Sequence, residues 1–121
     1  MRYLLDTNVA LYFLGGRPNE PLPDGECAVL VITELELLAY TALDDRADVL
    51  VRQFPQSVGI VELTDRVKAE AIRLRRSHDL KLPDAIVAGT AAASDVELLT
   101  NDARMLGVPG LRSRSVALRE D

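Results

Sequence analysis

Short unbroken apolar runs separated by stretches of helical period restrict what this chain can fold into more than any other feature. Cys27-Ala-Val-Leu-Val-Ile32 is apolar throughout, the pattern of a strand buried on both faces of a parallel sheet. Tyr3–Leu5, Val58–Leu63, Val96–Thr100 and Leu111–Leu118 read as further strands. Between them Val9, Leu11, Tyr12 and Leu14 give a brief helix stopped by Gly15-Gly16, and Thr33 opens a helical stretch through Leu43. Asp45–Phe54 reads as a helix ended by Pro55, and Val67, Ala71, Leu74 and His78 recur at helical spacing. Pro83 suits the first turn of a helix that runs through Ala93, with Ala85, Ala88, Gly89 and Ala92 making a small-residue face. Asn101–Met105 reads as a turn or short helix. Alternating strands and helices predict an α/β fold of three layers, a central parallel sheet flanked by helices, built as one domain over residues 1–121.

Composition narrows the chemistry. Cys27 is the only cysteine and His78 the only histidine, which excludes an internal disulfide, a structural zinc site of Cys and His ligands, and a two-histidine acid–base mechanism. Cys27 sits in an apolar run and reads as a buried small hydrophobe. No apolar stretch approaches the roughly 20 residues needed to span a bilayer, and Asp6 interrupts the apolar start that would otherwise imitate a signal peptide. The expected location is cytoplasmic.

The formal net charge is −5 with a pI near 4.9, which argues against holding nucleic acid by bulk positive charge. The charge is uneven. Residues 1–63 hold four Arg against ten acids, and residues 64–119 hold ten basic groups against seven acids.

Asp6, Glu36, Asp84 and Asp102 each stand where a strand has ended or a helix has begun. Singly, each has a local explanation: Asp6 as a helix cap, Glu36 as the end of a Thr33-Glu-Leu-Glu36 capping box, Asp84 in a first turn, Asp102 in a turn after Asn101. A parallel sheet, however, carries the carboxyl ends of its strands to one edge, where ligand crevices form. Clustered carboxylates without His or Cys suit Mg²⁺ or Mn²⁺, and such an ion supports phosphodiester hydrolysis.

Four blocks, Leu4-Leu5-Asp6-Thr7-Asn8, Val31-Ile32-Thr33-Glu34-Leu35-Glu36-Leu37-Leu38, Leu82-Pro83-Asp84-Ala85-Ile86-Val87-Ala88 and Leu98-Leu99-Thr100-Asn101-Asp102, resemble in order and spacing the motifs of PIN-domain ribonucleases, in particular VapC-type toxins. The resemblance implies a metal-dependent endoribonuclease with Asp6, Glu36, Asp84 and Asp102 holding Mg²⁺ or Mn²⁺. It implies Thr7, Asn8, Thr100 and Asn101 as neighbours that orient those carboxylates. It also implies a homodimer held inactive by a VapB-like antitoxin, with RNA as substrate. Tyr40 replaces a common Gly and Met105 a common aromatic, and both read as packing positions.

Arg73, Arg75, Arg76, Lys81, Arg112 and Arg114 are the candidate RNA-phosphate contacts, weighed against the alternative that they form solvated faces. Two other families share fragments of the pattern. Arg73 to His78 matches the Arg-x4-His motif of HEPN ribonucleases, which resemble all-helical bundles. A phosphoacceptor receiver domain shares the length, but Asp6-Thr7-Asn8 lacks its adjacent acids. A free-standing PIN nuclease and a silent PIN-like binding module complete the alternatives.

Overall fold

The computed structural model describes residues 1–16, 18–22, 26–39 and 45–119. In chain order the elements are β1 (Tyr3–Leu5), α1 (Thr7–Leu14), β2 (Cys27–Leu30), α2 (Val31–Leu38), α3 (Asp45–Val58) and β3 (Ile60–Val61). They continue with α4 (Asp65–His78), α5 (Leu82–Ser94), β4 (Glu97–Leu99), α6 (Ala103–Leu106) and β5 (Ser113–Arg114). The strands form one parallel sheet in the order β3-β2-β1-β4-β5. Residues 40–43 of the predicted second helix, and with them Tyr40, lie outside the described residues.

The sheet is sandwiched because successive strand residues face opposite ways. Leu4, Leu30 and Leu98 face one side and pack with Leu74, Ala85, Ala88, Ala91 and Met105. Leu5, Val29 and Leu99 face the other and pack with Val9, Ala10 and Val58. The predicted three-layer α/β architecture is therefore present. Met105 is fully buried, as a packing position should be, and Cys27 is buried with its thiol pushed up by desolvation, consistent with a small hydrophobe.

Several boundaries differ from the sequence reading, and the strand expected over Val58–Leu63 contracts to Ile60–Val61. Helix α3 runs through Pro55 to Val58 and ends instead at Gly59, whose φ of +89° turns the chain into β3. Helix α2 begins at Val31, so Thr33 lies inside its first turn, and Leu30 caps it without a side-chain hydrogen bond. The last strand contracts to Ser113–Arg114, after which the chain is tied by Pro18–Leu118 bridging and an Asn19 N–H to Ala117 carbonyl bond of 3.0 Å.

Helix α5 is positioned by α4 rather than by a preceding strand. Thr64 caps α4 by accepting the Val67 amide at 3.2 Å, and Asp79 reverses the chain at φ 52° toward Lys81 and α5. The two helices meet where Gly89 faces Ala71 so closely that a Cβ on Gly89 would lie 2.6 Å from the Ala71 nitrogen and 2.9 Å from its Cα. Helix propensity alone makes Gly89→Ala stabilising by about 1 kcal/mol. The contact with main-chain atoms costs about 1–3 kcal/mol as overpacking and offsets that gain, and chemical denaturation of the variant is expected to show a net loss of up to about 2 kcal/mol.

Candidate metal centre

The register explains why distant acids meet. Leu5 pairs with Val29 on one side and Leu99 on the other, so β1 and β4 end level and β2 runs one residue further, to Leu30. The strand order reverses between β1 and β4, the topological position at which open α/β sheets form their crevice. Asp6 and Thr100 are the first residues past those two strands, and the ladder persists one step further through Asp6 N–H to the Leu99 carbonyl, 3.0 Å.

Asp6 caps α1 and does more than cap. One carboxylate oxygen accepts the Thr7 amide at 2.9 Å, and the other accepts the hydroxyl of Thr100 at 2.8 Å. Thr100 is fully buried and its oxygen also accepts the Asp102 amide at 3.1 Å, joining the two motif acids through one hydroxyl. Asp102 caps α6 by accepting the Arg104 amide at 2.9 Å. Asp84 occupies the first turn of α5, after Pro83, and is half-buried. Glu36 is reached from Thr7, whose hydroxyl donates to its carboxylate at 3.2 Å.

Burial pushes the Asp6 carboxyl above its ordinary range. The hydrogen bonds from Thr100 and Thr7 pull it back, and the negative charges of Asp84 and then Asp102 push it up again. Asp84 thus acts on Asp6 at least as strongly as Asp102 does, although no strand directly precedes its helix. Among the described residues no group of three His, Cys, Asp or Glu side chains forms a ready-made ion shell. What the structure shows is a level sheet edge where Asp6 feels two other acids and is linked through Thr7 to a third. All the donors are carboxylate oxygens, with hydroxyls beside them, and this set suits a hard divalent cation.

The capping-box reading of Glu36 does not hold, because Thr33 is the third residue of α2 and not its cap. The Thr33 hydroxyl turns instead to the Thr7 hydroxyl at 2.9 Å. Thr33 was not among the sequence candidates; its only signal was the Thr-x-x-Glu spacing, which capping explained equally well. Thr7 and Thr100 contact the carboxylates as expected, while Asn8 is exposed on the first turn of α1. Asn101 differs: its side chain donates to the Val116 carbonyl at 3.0 Å and accepts the Val116 amide at 2.7 Å. It fastens the chain after β5 and does not orient a carboxylate.

The six basic candidates divide. Arg73 pairs with Glu70 at 2.8 Å on its own helix, and Arg114 pairs with Glu97 at 3.2 Å and stacks over Tyr3. Arg112 bonds to the Asp95 carbonyl and carboxylate before β4, at the opposite sheet edge from the acids. A phosphate contact from Arg112 would therefore fall away from the acids. Arg75, Arg76 and Lys81 are exposed, without an ion pair among the described residues. Lys81 immediately precedes the helix that carries Asp84.

The PIN domain family model matches residues 3–111. The chain belongs to the PIN domain family. Among curated protein sequences none matches significantly. Solved structures do. A chain of the DNA-bound VapBC from Salmonella typhimurium superposes with a TM-score of 0.81 at 18% identity, over 95% of this chain and 98% of that one. A chain of VapBC2 from Rickettsia felis bound to a promoter DNA fragment gives 0.77 at 18%, over the same shares. A toxin–antitoxin complex from Klebsiella pneumoniae gives 0.72 at 26% identity, over 89% and 93%. The five-stranded PIN sheet excludes an all-helical HEPN bundle, and His78 is simply the last residue of α4.

Because the fold raises the Asp6 carboxyl above its ordinary value of 3.8, ionising it opposes folding. That penalty is absent below the unfolded value and grows as pH rises through the folded one. Metal-free Asp6→Asn protein is therefore expected to melt above the wild type at pH 7, the gap closing as pH falls toward about 4. Thermal melts across pH measure this directly.

Proposed function

We propose that this PIN domain is a metal-dependent endoribonuclease of the VapC type, the toxin of a toxin–antitoxin pair. The observation that carries the reading is the acid-lined switch point, where half-buried Asp6 is hydrogen-bonded to Thr100 and electrostatically opposed by Asp84 and Asp102. PIN domains are generally nucleases, and the VapBC structures above support a toxin with a protein partner.

In this reading Asp6, Glu36, Asp84 and Asp102 hold Mg²⁺ or Mn²⁺. When bound, such a cation lowers the pKa of water and offsets charge on a phosphoryl oxygen. The chain's own contributions are positional. Thr100 keeps Asp6 from rotating and ties it to Asp102; Thr7 links the backbone beside Asp6 to Glu36. Burial of Thr100 and half-burial of Asp6 exclude water from one side of the carboxylate and so strengthen its interactions. Arg75, Arg76 and Lys81 are free to meet RNA phosphates near α5, a few local contacts being enough when the scissile phosphate is anchored elsewhere. A VapB-like antitoxin would then inhibit by presenting a basic segment to the same acids, a match of charge that favours fast and specific association. The toxin is expected to work as a cytoplasmic homodimer.

Purified protein should cleave a mixed RNA pool with Mg²⁺ or Mn²⁺, and should fall to the chelated background in Asp84→Asn. Cleavage that survives both chelator and Asp84→Asn overturns the metal mechanism. Growth arrest on expression, relieved by a small protein encoded beside it, tests the toxin assignment; active nuclease without arrest would identify a free-standing enzyme.

A further inference from the structure

We propose that Thr33 is a positioning residue for Glu36, acting through the hydroxyl of Thr7. The inference rests on the proposed role of Glu36 at the cation site and adds a residue to which that reading gave no part.

An ionised Glu36 is an acceptor only, so the Thr7 hydroxyl must donate to it across 3.2 Å. A hydroxyl has a single proton. The 2.9 Å contact between the Thr7 and Thr33 oxygens therefore runs the other way, with Thr33 donating. Thr33 is 1% exposed, and this is the one hydrogen bond of its side chain among the described residues. The chain is thus directional: Thr33 to Thr7 to Glu36.

Each end has a reason to need it. Thr33 is buried in the first turn of α2 without capping it, so its hydroxyl has no water to turn to. Glu36 lies one turn later on the same helix and is exposed, with three side-chain torsions to restrain. The backbone of Thr7 is already fixed by the hydrogen bond that its N–H donates to the Asp6 carboxylate. Once Thr33 occupies one lone pair of the Thr7 oxygen, the Thr7 proton is aimed at Glu36. The result couples a carboxylate on α2 to one at the end of β1.

The test is Mn²⁺ binding to the metal-free protein, followed by electron paramagnetic resonance, with metal-free thermal melts on the same samples. Thr33→Val keeps the shape and removes the donor; it should weaken Mn²⁺ binding by about tenfold. Thr33→Ser should restore binding to near the wild-type level. Thr33→Ala provides a smaller replacement if valine disturbs folding, and should weaken binding as valine does. Glu36→Gln should weaken binding by itself, and adding Thr33→Val should weaken it little further, since both act on one ligand. Wild-type affinity in folded Thr33→Val or Thr33→Ala, with Glu36→Gln impaired, overturns the role of Thr33 and leaves the site reading intact. Wild-type affinity in Glu36→Gln overturns the assignment of Glu36 itself.

Discussion

The structure depends on keeping a carboxylate, Asp6, half-buried at the end of the central strand with two other acids acting on it. Burial and like charge both oppose its ionisation, and two hydrogen bonds counter them. One comes from the first amide of α1, so the helix that begins there is part of the answer. The other comes from Thr100, which is carried in by the neighbouring strand. Shifting β4 by one residue against β1 would turn Thr100 to the wrong face and remove the second donor. Sheet register and site electrostatics are consequently one constraint.

Asp84 meets the same constraint by a different route. Its helix follows another helix, so its position is set by how closely α4 and α5 approach. Gly89 against Ala71 makes that distance shorter than any residue with a Cβ would permit. The run Ala85, Ala88, Ala91 then packs under Leu4 and Leu98, bringing the first turn of α5 toward the edge where β1 ends. Small residues in the middle of a helix here determine where an acid at its start comes to lie.

Most of the fold was legible in the sequence because a strand buried on both faces is an unbroken apolar run, as in Cys27–Leu30. The four acids were legible through motif spacing. What escaped depends on tertiary competition. Pro55 looked like a helix stop, yet the chain has its true exit at Gly59, where a positive φ is required. Thr33 and Glu36 had the spacing of a cap, yet the hydroxyl of Thr7, brought in from another element, claimed Thr33. Asn101 lies between two residues that serve the site, and only the return of Val116 shows that it holds main chain instead. Arg112 likewise could not be separated from Arg75 by sequence, since Asp95 is 17 positions away from it.

The distribution of pairing among the cations also bears on how an acidic protein engages a polyanion. With a net charge of −5, the chain has little long-range attraction for RNA. Arg73, Arg112 and Arg114 are held by Glu70, Asp95 and Glu97, which leaves them less available for phosphate contacts. Arg75, Arg76 and Lys81 have no ion pair among the described residues and lie close in sequence to the helix that carries Asp84. Under the proposed function, affinity would come from a few local phosphate contacts together with the cation held by the acids. Binding of that kind loses less to added salt than binding by many phosphate contacts, because few counterions are released. The acidity that disfavours general nucleic-acid binding is then compatible with a nuclease whose grip on RNA is concentrated at the scissile phosphate.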